Sequence, residues 1–274
     1  MIRETFALYW REMKHWYRVK IQIFMTLIQP IVWLGLFGQS VNLGALVPPG
    51  LPGFDLSTML SGAPDYFSYM STGMLAVIAL FTTMFAGMSL VWDRRFGFLT
   101  KLRVSPIPRG VVPVSRMGSA VSRALIQAVI VLVIALAFAF VPGLTGLTLS
   151  SAFNAMDLLG ILLVLALLAI GFSCVFITVA MAVENQDTLF GLINLLNLPI
   201  MFASTALFPT TMMPSWLVAV AKANPLSWAA DAIRAFAFHN PNPIFPVWME
   251  VTLLLAFAAM MVAVSVLASR KFLK

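Results

Sequence analysis

Apolar runs long enough to cross a lipid bilayer recur along this chain, and no other feature constrains its fold as tightly. A helix needs about 20 largely apolar residues to traverse a hydrocarbon core about 30 Å thick. Six stretches reach that length, at roughly residues 21–40, 67–92, 117–141, 154–181, 188–208 and 246–268. Turn-rich or charged segments separate them, among them VPPGLPG, VPGLTGLT and FHNPNPIFP. Composition agrees: 61% of the 274 residues are hydrophobic and only 10% are charged, against about 25% charged in an average soluble domain. So few charges cannot coat a water-facing surface. The expected fold is therefore all-α and integral to a membrane, with six transmembrane helices.

The net charge of +7 could serve nucleic acid or an anionic membrane, and the placement of the charges decides for the membrane. The segment 1–20 carries Arg3, Arg11, Lys14, Arg18 and Lys20; the loop 93–116 carries Arg94, Arg95, Lys101, Arg103, Arg109 and Arg116; the tail carries Arg270, Lys271 and Lys274. In a six-span drawing these 14 of the 17 basic residues share one side, while the other side has only Lys222 and Arg234. By the positive-inside rule both termini are expected to be cytoplasmic. Arg123 lies just inside the third span and can snorkel back to the same side. Residues 1–20 lack an apolar core, which argues against a cleavable signal peptide. Phe6, Tyr9, Trp10, Met13, Trp16 and Tyr17 recur at helical spacing with basic residues between them, the pattern of an amphipathic helix lying in the membrane interface. That helix either anchors the chain or touches a partner, and His15 sits on its polar face.

Several chemistries have no support. No G-x-x-x-x-G-K-S/T loop cradles a phosphate, and neither H-E-x-x-H nor G-x-S-x-G occurs. One cysteine, Cys174 in an apolar run, and two histidines leave no expected metal site or disulfide framework. No catalytic residue is expected. The acidic residues lie at span ends or in loops, with Asp157 and Glu250 the nearest to the membrane interior; both read as interfacial or facing the bundle. What remains is a membrane pathway without an engine.

The loop 93–116 could take one. Phe98, Leu99 and Leu102 stand among charges at near-helical spacing, and Pro106 and Pro108 stop any helix there. Such apolar knobs either dock into a groove on another protein or rest on the membrane surface.

FGFLTKLRVSPIPRGVVPVSRMGSA resembles the loop after the second span in ABC-2-type exporter permeases, including the daunorubicin-resistance kind. NLPIMFASTALFPTTMMPSWLVAVAKANPLSWAADAIRA is similar to that family's fifth span, Phe-Pro turn, short Pro-Trp-Leu helix and Asn-Pro-Leu element. The resemblance covers nearly the whole chain and implies a half-size permease subunit, not itself an enzyme, with residues 1–20 a connecting helix and 21–274 a six-span domain. It implies a second permease subunit, identical or homologous, and a separate ABC ATPase that carries the ATP and Mg; no cofactor is expected in this chain. Coupling to the ATPase would fall to Arg94, Arg95, Phe96, Gly97, Phe98, Leu99, Lys101 and Leu102, with a helix at roughly 94–101, and to Glu184 in a second loop. The substrate pathway would be lined from spans two and five by Phe81, Met84, Phe85, Met88, Asn194, Asn197, Met201 and Phe202. Asn194 and Asn197 either meet substrate or bond across helices. Segment 209–243 would form re-entrant helices capping the outer side, where Phe208, Pro209, Asp231 and Arg234 form a gate, Asp231 and Arg234 pairing with each other and His239 lying exposed. The implied function is ATP-driven export of a hydrophobic or amphipathic drug, a lipid or a lipid-linked molecule across a prokaryotic plasma membrane. The alternative is an ATP-independent carrier or channel.

Overall fold

The computed structural model describes residues 2–41, 56–98, 108, 110–183, 185–239 and 243–272. Helix α1 (Ile2–Arg18) is followed by α2 (Lys20–Val32), which runs on through a π turn (Trp33–Gly38), and by a single turn, α3 (Leu56–Met59). The longer elements are α4 (Tyr66–Arg95), α5 (Val111–Ala137), α6 (Ala155–Ala182) and α7 (Gln186–Phe202). Two short helices, α8 (Ser215–Ala223) and α9 (Pro225–Phe238), precede α10 (Val247–Phe272).

Among the described residues, four helices are long and apolar enough to cross a membrane: Tyr66–Arg95, Val111–Phe140, Ala155–Ala182 and Val247–Lys271. The other two stretches depart from plain spans. Pro30 lacks a donor inside α2, and the ladder after it shifts register, with the Trp33 N–H shared between the carbonyls of Gln29 and Pro30. Helix α7 has 17 residues and stops at Phe202 rather than 208, because the chain leaves helical geometry at Ala203.

Local chemistry explains the helix starts. Asp65 accepts from Ser68 N at 2.7 Å, and Asn224 accepts from Leu226 N at 2.9 Å ahead of a proline at the first helical position. Asn154 and Asp157 form a capping box at the start of α6. Asp157 is thus a buried cap residue, and His239 stands 3.6 Å from its carboxylate. His239 is exposed as expected, its side chain 43% exposed beside the start of α6.

Helix α4 is the centre of the bundle, buried on most of its surface and packed against α5, α6 and α9. In lipid, helix association depends on close approach rather than on hydrophobic burial. Two glycines provide it. A Cβ on Gly73 would lie 1.8 Å from the Ala206 carbonyl oxygen, and one on Gly87 would lie 2.6 Å from that of Phe176 in α6. At one end of the bundle, here the charged end, α1 meets the end of α4 and the start of α5. The opposite end, the cap end, holds α8 and α9 with the starts of α4, α6 and α10.

Candidate functional site

At the charged end, Asp93 in the last turn of α4 gathers two arginines. Arg11 of α1 grips it bidentately, Nη1 to Oδ2 at 2.9 Å and Nη2 to Oδ1 at 2.6 Å, and Arg116 of α5 donates to Oδ2 and to Ser89 Oγ. Glu12 completes the group, 3.7 Å from Arg116 and 3.3 Å from Arg11. The Asp93 carboxylate holds the Arg11 guanidinium above its ordinary pKa. Tyr9 and Ser122 share a hydrogen bond of 3.0 Å, so α1 is pinned to α5 twice. The aromatic face of α1 divides: Trp16 is buried, while Phe6, Trp10 and Tyr17 face outward. Arg123 is buried and bends back toward this end, its Nε donating to Ser119 O at 3.1 Å.

The predicted coupling residues continue from this clasp. Arg94 and Arg95 belong to α4 itself, not to a separate helix. Arg94 turns inward and donates to the carbonyls of Val183 and Met181, both at 3.0 Å, satisfying the end of α6. Phe96 is 81% exposed at the tip. Gly97, at φ +71°, makes the left-handed turn that a side chain would strain. Phe98 lies under the Arg11 guanidinium, 3.7 Å from its ring centroid. Leu99, Lys101, Leu102 and Glu184 lie outside the described residues. Two clefts flank the tip. One of 490 Å³ runs along Lys14, His15, Arg18, Trp92 and Phe96; one of 410 Å³ is bounded by Arg94, Arg95 and Asn185–Asp187.

Between the ends, the residues of α4 from Tyr66 to Trp92 that are not fully buried are Phe81, Phe85, Ser89 and Trp92. Their spacing puts them on one face, so α4 is open along a single stripe. Two predicted pathway residues, Phe81 and Phe85, lie on it. Met84, Met88 and Met201 are buried instead. Asn197 is buried too, its Nδ2 3.5 Å from Met84 Sδ, which joins α7 to α4 while its Oδ1 has no partner. Asn194 bonds back to Phe190 O in its own helix at 2.9 Å, and Phe202 faces outward beside Leu195 and Leu198.

At the cap end the chain is non-helical after α7, and side chains satisfy its backbone, as an apolar surrounding demands. Tyr69 and Tyr66 donate to the carbonyls of Thr205 and Leu207 at 2.7 and 3.0 Å. Asn224 Nδ2 donates to Ile200 O and Ala203 O at 2.7 and 2.9 Å. Arg234, fully buried over the Tyr69 ring, donates from Nη2 to Tyr69 O, Thr205 O and Ala206 O at 3.3, 2.8 and 3.1 Å. The expected Asp231–Arg234 ion pair does not form. Asp231 instead accepts from Ile244 N at 2.6 Å, while Arg234 is committed to the carbonyls of Tyr69, Thr205 and Ala206. Pro209 is buried and Phe208 partly so, 6.5 Å from Phe37 in ring-centroid separation.

Sequence reasoning passed over the grouping of Arg11, Glu12, Asp93 and Arg116, and over Asn224 as a staple. Asp93 did carry a signal: an acidic residue ahead of two arginines at a span end needs a partner.

A family model described as ABC-2 type transporter matches residues 3–238. A putative transport permease ycf38 of Porphyra purpurea is 30% identical over 235 residues, covering 85% of this chain and 74% of its own. The daunorubicin resistance ABC transporter permease protein DrrB1 of Streptomyces coeruleorubidus is 24% identical over 264 residues, 96% of this chain and 83% of its own. A probable doxorubicin resistance ABC transporter permease protein DrrC of Mycobacterium tuberculosis is 26% identical over 208 residues, 73% of this chain and 71% of its own.

Proposed function

This chain belongs to the ABC-2 type transporter family, and from that premise we propose that it is the permease half of an ATP-driven exporter in a prokaryotic plasma membrane. It spans the membrane six times with both termini cytoplasmic: α2 with its π turn and α7 complete the set begun by the four longer helices. A separate ABC ATPase, which carries ATP and Mg, docks at the charged end against Phe96, Phe98 and the residues that follow, Leu99, Lys101 and Leu102. Glu184 lies in its second contact. A second permease subunit covers the outward apolar face of α7, and substrate passes between the two along Phe81, Phe85 and the α7 face. Phe208, Pro209, Asp231 and Arg234 belong to the outer gate. The aromatic stripe suits a hydrophobic or amphipathic cargo such as a drug, a lipid or a lipid-linked molecule. The drug-resistance names of two relatives point the same way.

One observation carries this reading. A single helix, α4, bears the exposed Phe96 turn at one end and, along its length, its one open stripe. The ion cluster at Asp93 ties that turn to α1 and α5, and Arg94 ties it to the end of α6. A push at the turn is thus delivered to helices that border the stripe, as switching between inward- and outward-open states requires.

The test is a mild-detergent pull-down of the chain from its own cells, with Phe96→Asp and Leu99→Asp beside it. A stoichiometric ATPase bearing a phosphate-binding loop should co-purify, and both variants should insert yet lose substrate-stimulated hydrolysis. Recovery of the chain alone, with transport driven by an ion gradient, would make it an ATP-independent carrier on the same fold.

A further inference from the structure

Asp231 in α9 and Glu250 in the first turn of α10 share the interior of the cap end, where α9 packs against α10 and Asp231 takes the N–H of Ile244 just ahead of that helix; Asp231 and Arg234 both act on Glu250. All three side chains are fully buried. Their hydrogen bonds do not close. Asp231 Oδ1 has no donor, and neither carboxyl oxygen of Glu250 has one. Arg234 commits Nη2 to carbonyls and leaves Nε and Nη1 unpartnered.

Charge counting sharpens the problem. Two carboxylates and one guanidinium leave a net negative charge enclosed by apolar helices, which is strongly unfavourable unless it is neutralised. The neighbouring elements do not neutralise it. From α4, Tyr69 and Tyr66 spend their hydroxyls on the carbonyls of Thr205 and Leu207. From α6, Asp157 is turned to its own cap and to His239. The charged groups that act on Glu250 are Asp231 and Arg234.

We propose that Asp231 and Glu250 form a proton-binding site, in which one proton bridges the two carboxyls and fastens α9 to α10. The bound proton sits on one carboxyl and is donated to the unpartnered oxygen of the other. The single negative charge that remains lies beside Arg234, so the cluster becomes neutral. Two oxygens that lacked donors become one hydrogen bond across the joint between cap and final helix. Loss of the proton leaves two carboxylates at that joint, and the cap loosens. This site follows from the cap geometry alone and goes beyond the exporter reading, since it would exist whatever drives transport.

The experiment uses the chain in lipid nanodiscs, examined by infrared difference spectroscopy with H/D exchange and by thermal melting across pH. The wild type should show the carbonyl band of a buried protonated carboxyl at neutral pH, and Glu250→Gln should lose it. The wild-type melting midpoint should hold at low pH and fall as pH rises through the titration of the pair. In Glu250→Gln the amide donates to Asp231 as the protonated carboxyl would, so its midpoint should stay flat over the same range. Absence of the band in the wild type, or a Glu250→Gln midpoint that falls with pH as the wild type does, overturns the proposal. Should Glu250→Gln not insert, Asp231→Asn decides: the band must disappear there too, and its persistence refutes the site.

Discussion

Asp93→Asn removes the anion on which three helices converge while keeping the shape of the side chain. The Asp93 side chain is 11% exposed and its partner Arg116 only 3%, whereas Arg11 is 40% exposed. In the variant Arg116 retains Ser89 and the carboxylate of Glu12 at 3.7 Å, but its charge is no longer balanced at contact distance. Stripping one partner from a buried pair costs about 3–5 kcal/mol. Because Arg11 and Glu12 remain to redistribute the charge, the lower figure, about 3 kcal/mol, is expected. Arg11→Gln removes a solvent-screened partner and should cost less than about 1 kcal/mol. The assay is chemical unfolding in mixed micelles, followed by the fluorescence of Trp92, which adjoins Asp93, with the other six tryptophans (Trp10, Trp16, Trp33, Trp216, Trp228 and Trp248) replaced by Phe. The double variant completes a thermodynamic cycle, and its total should fall short of the sum of the two single losses because the residues touch. Equal losses for Asp93→Asn and Arg11→Gln would refute the reasoning, since burial of Arg116 would then play no part.

Other expectations rest on separate contacts. Gly73→Ala forces a methyl into the Ala206 carbonyl; it should lower the melting temperature markedly, while Gly118→Ala, whose Cβ would meet Tyr9 at an ordinary 3.5 Å, should leave it unchanged. Asn224→Ala deletes a helix cap and two bonds to the end of α7, and should cost about 2–3 kcal/mol and speed proteolysis between α7 and α9. Asn197→Leu removes a buried carbonyl oxygen that has no partner, so stability should hold or rise. If Asn197 contacts cargo, transport in vesicles should fall in the same variant; unchanged transport removes it from the pathway.

Helices, their approximate bounds and their membrane setting were legible in the sequence, because apolar length and charge placement are local properties that need no partner. The breaks were legible in part. Pro30 and Pro199 mark positions where the ladder lacks a donor, but their outcomes differ: the first shifts α2 into a π turn, while α7 runs through the second and ends at Phe202. Phe96 and Gly97, expected within a helix over roughly 94–101, form instead the turn that ends α4, while Phe81 and Phe85, named only through the family resemblance, fall on its open stripe.

Partners were not legible. Arg234 and Asp231 stand three apart on one helix, the spacing of an ion pair, yet each is claimed by groups distant in sequence: Arg234 by the carbonyls of Thr205 and Ala206, Asp231 by Ile244 and Glu250. Arg94 looked like an outward contact and turns in to close α6. Asp93 gathers Arg11 from 82 residues away. A buried polar atom must find a partner wherever the fold puts one. Which residues lie in apolar helices is therefore written in the sequence, whereas which charge meets which backbone is decided only when the helices pack.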